Sequence, residues 1–577
     1  MRFAFVVLLT VSVAGCSDAD GGGNGSDAGA DGDIVSLTIE PADPTVVTVN
    51  GSGPPVEFVV MAERSDGTVD AVDGRWSFDR TELGAIGGED GEFTASGVAA
   101  GVGTVTAIVG ETTATTSVTV RVEDEYFGDG VPTDAADQFG TPVTGGAASV
   151  LVYPLNGAVM PSSIKPPQVQ WEGGEFGDLY RLTISAGLAT VTSYLTHDGV
   201  NFTYAWPVDA GSWRALKTSA DGDPIRFVLD RLARADGATY RATEHQVSMV
   251  DANLDGAIYY WDLGRGKMLR ITDQGREDFM PAPPKAANGS RCVACHTVSR
   301  DGRLLAAELW GGAQPSAIFD LTADLSPDPA PTRVPPGKYN ALFSTFSPDA
   351  SQLLINYETR MELRDTATGD LVPSTGLPQS GAAHPTWSPD GSLVAYIANI
   401  DGSWAVDYTV GDLAVMPVSG TDFGTTQILR AADGMANAWP SFSPDSQWIA
   451  FGRGTNSRAR RDDIGEVYPG SLYLIHRTGG APIELARAAG GEQSSYLPNF
   501  SPFNEGGYYW LAFYSTRDYG NAQVGSKGTG RRQLWVTAVS NNPQAGIDPS
   551  SVPFWLPDQD VTSDNMSGYW APRPPVD

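Results

Sequence analysis

The sequence predicts an all-β protein in which small sandwiches precede a larger, internally repeated array of short strands. Three observations predict it. Only 18% of the 577 residues are charged, Gly (67) and Pro (40) are abundant and aromatics reach 10%, a balance that suits strands and turns rather than long helices. Short runs such as Val35-Ser36-Leu37-Thr38-Ile39 alternate apolar with polar residues between Gly, Asp and Pro, the period-two signature of half-buried strands. A Ser-Pro-Asp turn recurs along the C-terminal part, and such a repeat decides the architecture before any single element does.

From the beginning of the chain, Arg2 and the apolar stretch Phe3 to Val13 read as an export signal too short to span a bilayer permanently. It ends in Val13-Ala14-Gly15-Cys16, which resembles the lipobox of bacterial lipoproteins. That resemblance implies cleavage after residue 15 and lipid on Cys16, and Ser17 in place of Asp resembles outer-membrane sorting. Residues 17–33 are Gly- and Asp-rich without apolar periodicity, so a flexible spacer is expected.

The formal net charge of -32 lacks the basic footprint that nucleic-acid binding requires and reads instead as a solubility device. The expected partners are a membrane, reached through the lipid anchor, and redox or surface proteins. Of the three cysteines, Cys16 belongs to the lipobox and the others form one C-x-x-C-H, so no disulfide scaffold is available and each domain must rely on its own packing.

Residues 34–122 read as a small β-sandwich closed by Ser117-Val118-Thr119-Val120-Arg121-Val122. The segment Gly97 to Ala107 before it resembles the end of bacterial immunoglobulin-like group 2 domains, which implies a spacer or adhesive module. Acidic residues from Glu123 suggest a linker over 123–146. Over 147–250, Gln168-Val169-Gln170-Trp171 and Tyr180-Arg181-Leu182-Thr183-Ile184 resemble early strands of a fibronectin type III-like sandwich.

Residues 251–577 carry the repeat. Phe346-Ser347-Pro348-Asp349, Trp387-Ser388-Pro389-Asp390 and Phe442-Ser443-Pro444-Asp445 are regular copies, Phe500-Ser501-Pro502 is degenerate and Val298-Ser299-Arg300-Asp301 is a fifth. Each precedes a strand-like run, with Pro presetting φ and Asp accepting local backbone hydrogen bonds. The pattern resembles TolB-like and WD-type β-propeller repeats, which implies a closed ring. Ala257 to Asp262 supplies one more strand, so about six blades are expected.

The chemistry-bearing motif is Cys292-Val293-Ala294-Cys295-His296. Two thiols in this spacing can each form a thioether to a porphyrin vinyl group while the adjoining imidazole reaches iron, so a covalent c-type haem with His296 as proximal ligand is expected. A redox dithiol and a zinc half-site are the alternatives. The other histidines are His197, His245, His384 and His476.

His296 stands three residues before Ser299 and His384 four before Ser388. If the repeats superpose, both enter an innermost strand from one face, and haem sits at a channel mouth. His384 is then a candidate distal ligand, with Met280 and Met435 as rivals; an open sixth position is also allowed.

Asp251, Asn253 and Asp255, with Asp262 at the twelfth position, match the spacing of a calcium loop, though Asp replaces the usual Glu. No G-x-S-x-G, H-E-x-x-H or P-loop pattern occurs, so hydrolase and nucleotide chemistry have no warrant. The expected function is electron transfer by an envelope lipoprotein. A non-redox binding scaffold and a peroxidase-like haem enzyme are the alternatives.

Overall fold

The computed structural model describes residues 33–199, 201–311, 315–461, 466–491 and 494–575; the leader with Cys16, and the spacer through residue 32, lie outside them. The chain is all-β, with immunoglobulin-like sandwiches followed by a propeller.

In the first sandwich, Ile34–Glu40 pairs with Val59–Arg64, and Gly101–Val109 pairs with Thr112–Phe127. Alternation places Val60, Val105, Val118 and Val120 inside, around Phe58 and Phe93. The closing strand does not stop at Val122, however. It continues to Phe127, and Val122–Phe127 pairs in parallel with Ala189–Tyr194 of the second sandwich.

The first five residues of the expected linker are thus strand. Its acidity misleads because Asp124 is buried and fully partnered: its carboxylate accepts from the Asn50 N–H at 2.8 Å and the Ser212 hydroxyl at 2.6 Å. A buried carboxylate is tolerable when hydrogen-bonded in this way. One continuous sheet therefore joins the sandwiches, in the order Val143–Thr144, Thr239–Arg241, Ile225–Leu232, Leu179–Ala186, Ala189–Thr196, Thr112–Phe127, Gly101–Val109, Arg75–Phe78.

The second sandwich also contains a helix, Ala210–Ser219, started by the Asp209 carboxylate accepting from the N–H groups of Gly211 and Ser212. Such a cap satisfies donors that the first turn cannot. The helix buries Trp213 and Leu216, and the Trp213 Nε1–H donates to the Ile164 carbonyl at 3.1 Å.

Six blade sheets follow among the described residues. Blade 1 is built from both ends of its segment: the C-terminal strand Asn565–Ala571 lies inside Ala257–Asp262, pairing Ala257 with Ala571 and Asp262 with Asn565. This pairing leaves no open edge at the seam of the ring. The other innermost strands are Val293–Val298, Phe343–Phe346, Ala383–Trp387, Ala436–Phe442 and Ser495–Glu505, for blades 2 to 6.

The repeated turn has a common hydrogen-bond pattern. In blade 4 the Ser388 hydroxyl donates to Asp390 at 2.7 Å and accepts from the Leu393 N–H at 2.9 Å. Ser299, Ser347 and Ser443 do the same with Asp301, Asp349 and Asp445. Ser therefore fixes the hairpin by bonding both across and along it.

The propeller and second sandwich share a core rather than holding separate ones. One apolar cluster includes Trp171 and Leu182 of the sandwich together with Tyr496 and Trp510 of blade 6. Asn521 of blade 6 donates to the carbonyls of Thr203 and Tyr204 at 3.1 and 3.0 Å, and Tyr153 meets Tyr519 edge-on at 5.0 Å.

Candidate functional site

The site is the central channel at one mouth of the ring, where the innermost strands share a local deformation. Cys295, His384, Trp439 and Leu497 each stand four residues before the turn serine and adopt left-handed backbone, with φ of 44°, 49°, 56° and 54°. At each of them the strand register slips. Bulges of this kind re-aim side chains, and here they turn four residues of different chemistry toward one channel.

This corrects the register expected from sequence. The counterpart of His384 is Cys295, and His296 matches Pro385, Pro440 and Pro498. Both imidazoles nevertheless line the cavity, whose volume is about 200 Å³.

Cys292 is half-buried just before the strand Val293–Val298, and Cys295 is half-buried within it. Burial first, and the nearby Glu308 carboxylate second, push both thiols up from their ordinary value, so they stay protonated. His296 points one ring edge at blade 1, where Nε2 lies 3.2 Å from the Tyr259 carbonyl. A carbonyl only accepts, so Nε2 carries the proton and Nδ1 keeps a lone pair. That Nδ1 is buried without a hydrogen-bond partner. Burial lowers the pKa of His296 to about 4, which keeps the ring neutral.

His384 is held the other way round. The Trp439 N–H donates to its Nδ1 at 3.2 Å, and the Tyr408 hydroxyl lies 3.1 Å from the same nitrogen. Nδ1 is therefore the acceptor and Nε2 bears the proton. Nε2 is buried without a hydrogen bond; the Ala405 carbonyl acts on it but does not meet bonding geometry. The ring stacks on Trp439 with centroids 3.6 Å apart and meets Phe343 edge-on at 4.6 Å. Burial pushes its pKa well below the ordinary histidine value.

An imidazole whose Nδ1 is an acceptor has no lone pair at Nε2 for a metal. The geometry thus gives His384 a proton at Nε2. Neither methionine candidate reaches the channel. Met280 is packed in the apolar core between blades 1 and 2, beside Tyr259 and Val293, and Met435 is half-buried ahead of the strand Ala436–Phe442.

The calcium-type residues are also separated. Asp251, Asn253 and Asp255 lie in the loop before Ala257–Asp262, whereas Asp262 ends that strand. Its carboxylate there holds Arg265 at 2.5 Å and the Ser563 hydroxyl. Among the described residues no three His, Cys, Asp or Glu side chains converge as a metal site.

Sequence reasoning missed Trp261, Trp439, Arg458, Arg532 and Met566 of the channel wall. One signal could have found Trp439: the pairs His384-Pro385, Trp439-Pro440 and Leu497-Pro498 stand at one offset from successive turns. The arginines come from strand ends and loops outside the repeat and left no such mark.

The pentapeptide's residues fit an iron porphyrin. Cys295 and His296 stand on the wall of the cavity, Cys292 lies just upstream, and the imidazole is neutral with one nitrogen unshared. Cys292 and Cys295 would hold such a group, and His296 would be the residue that meets its metal.

Neither a family model nor a curated protein sequence matches the chain. Solved structures give distant likenesses. A nidogen/laminin complex is 9% identical over 45% of this chain and 88% of that one, with a TM-score of 0.29. The Swd1 β-propeller domain from Myceliophteria thermophila is 11% identical over 44% and 81%, with a TM-score of 0.27. An ancestral GH74 enzyme is 11% identical over 53% of this chain and 37% of its own, with a TM-score of 0.33. Likeness at this level carries nothing about function, and the propeller is read from the sheets themselves.

Proposed function

We propose that this chain is an exported, lipid-anchored propeller protein that carries one covalent c-type haem on Cys292, Cys295 and His296 and passes single electrons between partner proteins in the cell envelope. The observation that carries the reading is the state of His296: a buried, neutral imidazole on the channel wall, next to a thiol, with an unshared lone pair at Nδ1. A bound haem would supply iron that changes oxidation state by one electron. The chain supplies attachment through the two thiols, orientation through the Tyr259 carbonyl that holds the ring, and a protein wall that limits water. Anchoring at Cys16 and an outer-membrane address belong to the same proposal and rest on the leader sequence alone.

The test is expression with and without the c-type maturation machinery. A haem-stained band on a denaturing gel, and a mass increase of one haem that Cys292→Ala with Cys295→Ala abolishes, is the expected result. A colourless matured protein with two free thiols leaves a propeller and sandwich assembly acting as a binding module.

A further inference from the structure

We propose that the far mouth of the propeller channel, at the blade turns, is a binding site for a single carboxylate group held by Arg300. The inference does not depend on haem, because the lining of this mouth includes neither cysteine nor histidine among the described residues. Thr345, Thr386, Asn499 and Tyr569 line both this mouth and the cavity of the reactive residues, so the two are successive levels of one channel.

The site comes from one departure in the repeat. Where blades 3 to 6 carry Pro348, Pro389, Pro444 and Pro502 after the turn serine, blade 2 carries Arg300. Pro572 follows the innermost strand of blade 1, so five prolines ring the mouth together with one arginine. Proline has no N–H to offer, whereas a guanidinium is rich in donors. Among the described residues Arg300 is the single charged side chain of the lining.

The guanidinium reaches across the ring. From blade 2 it donates to the Pro444 carbonyl of blade 5, on the opposite side, at 3.5 Å, the outer limit of hydrogen bonding. A neutral carbonyl leaves the charge uncompensated. Partial burial lowers the pKa of Arg300 from the ordinary arginine value, and the group that opposes this is the Tyr569 hydroxyl rather than a carboxylate. A carboxylate entering the mouth replaces one long neutral contact with charge-assisted, two-point bonds. The space is small, about 80 Å³, which suits the end of a chain rather than a ring system. A free short-chain acid and the terminal carboxylate of a peptide share this chemistry, and the experiment distinguishes them.

The probes are propionate and acetyl-triglycine, each titrated against its own amide and observed by saturation-transfer NMR on the full-length protein. Saturable binding of an acid is expected, about tenfold tighter than that of its amide. Arg300→Pro installs the residue of the other turns and so preserves the hairpin; it should lose that preference, and Arg300→Gln, which keeps the side chain's polarity without its charge, should lose it too. Propionate binding assigns the site to free acids; binding of acetyl-triglycine alone assigns it to a chain terminus, and either supports the proposal. Equal affinity for acid and amide in both pairs overturns it, as does undiminished preference in either variant.

Discussion

Blades 2 and 4 place a reactive residue at the same bulge and give it opposite surroundings. On blade 2 the bulge holds Cys295, and the following His296 donates outward to Tyr259 so that Nδ1 keeps its lone pair. On blade 4 the bulge holds His384 itself, and the Trp439 N–H consumes the Nδ1 lone pair, leaving an N–H at Nε2. One backbone deformation thus presents one imidazole with an unshared Nδ1 and another with its proton at Nε2. The difference arises from which blade each ring leans on: a carbonyl from blade 1 or an N–H from blade 5. Tautomer, more than residue type, assigns the roles.

The sharpest way to break this comparison is to exchange the parts. His296→Ala in matured protein should abolish normal axial ligation, read as a change in the iron's absorption bands, whereas His384→Ala should leave haem content intact. If His384→Ala instead removes a low-spin spectrum, the tautomer argument fails and His384 is a ligand.

The presentation of both walls depends on the blade turns, and a smaller effect is expected there. Gly302 has φ +74°, and a Cβ there would run into the Pro572 carbonyl of the chain's last described segment. Gly302→Ala should destabilise the propeller by about 2–4 kcal/mol, from left-handed strain plus overpacking. Denaturant midpoints check this; an unchanged midpoint would show that the blade 2 turn and the terminal segment are not in contact.

The burial of His384 sets a pH dependence with a definite sign. Its folded pKa lies below the ordinary value near 6.5, so as pH falls below 6.5 the unfolded chain takes up a proton that the folded chain refuses. Stability present above that pH is lost as pH drops. In haem-free protein, wild type should lose more stability than His384→Gln between pH 7 and pH 5; parallel losses would place the ring in solvent. The smallest effect is expected at the turn acid of blade 3. Asp349 accepts from the Ser347 hydroxyl at 2.6 Å, and Asp349→Ala should cost about 1 kcal/mol in equilibrium unfolding.

Much of the fold was legible because strand alternation and turn chemistry are local. The Ser-Pro-Asp copies mark hairpins whose hydrogen bonds close within six residues, and Ala257 to Asp262 stood out as an extra strand before the first of them. The continuation of Thr112–Phe127 was not legible, since Glu123, Asp124 and Glu125 read as solvent-facing until Ser212 and Asn50, distant in sequence, are seen to satisfy Asp124. The helix Ala210–Ser219 was missed for a similar reason: it is a single ten-residue element in a strand-rich region, and its burial of Trp213 depends on the sheet beneath.

By itself the sequence determined the all-β class, the repeated turn and the reactive pentapeptide, because each is encoded within a few consecutive residues. Only the tertiary structure decided which face each reactive group meets. The same one-residue bulge at Cys295 and at His384 turns both toward the channel, and carbonyls or N–H groups from neighbouring blades fix each ring's proton. The arginines of the channel wall, Arg458 and Arg532, likewise come from segments far apart in the chain. Such properties belong to the closed ring, where six strands from distant positions meet at one axis.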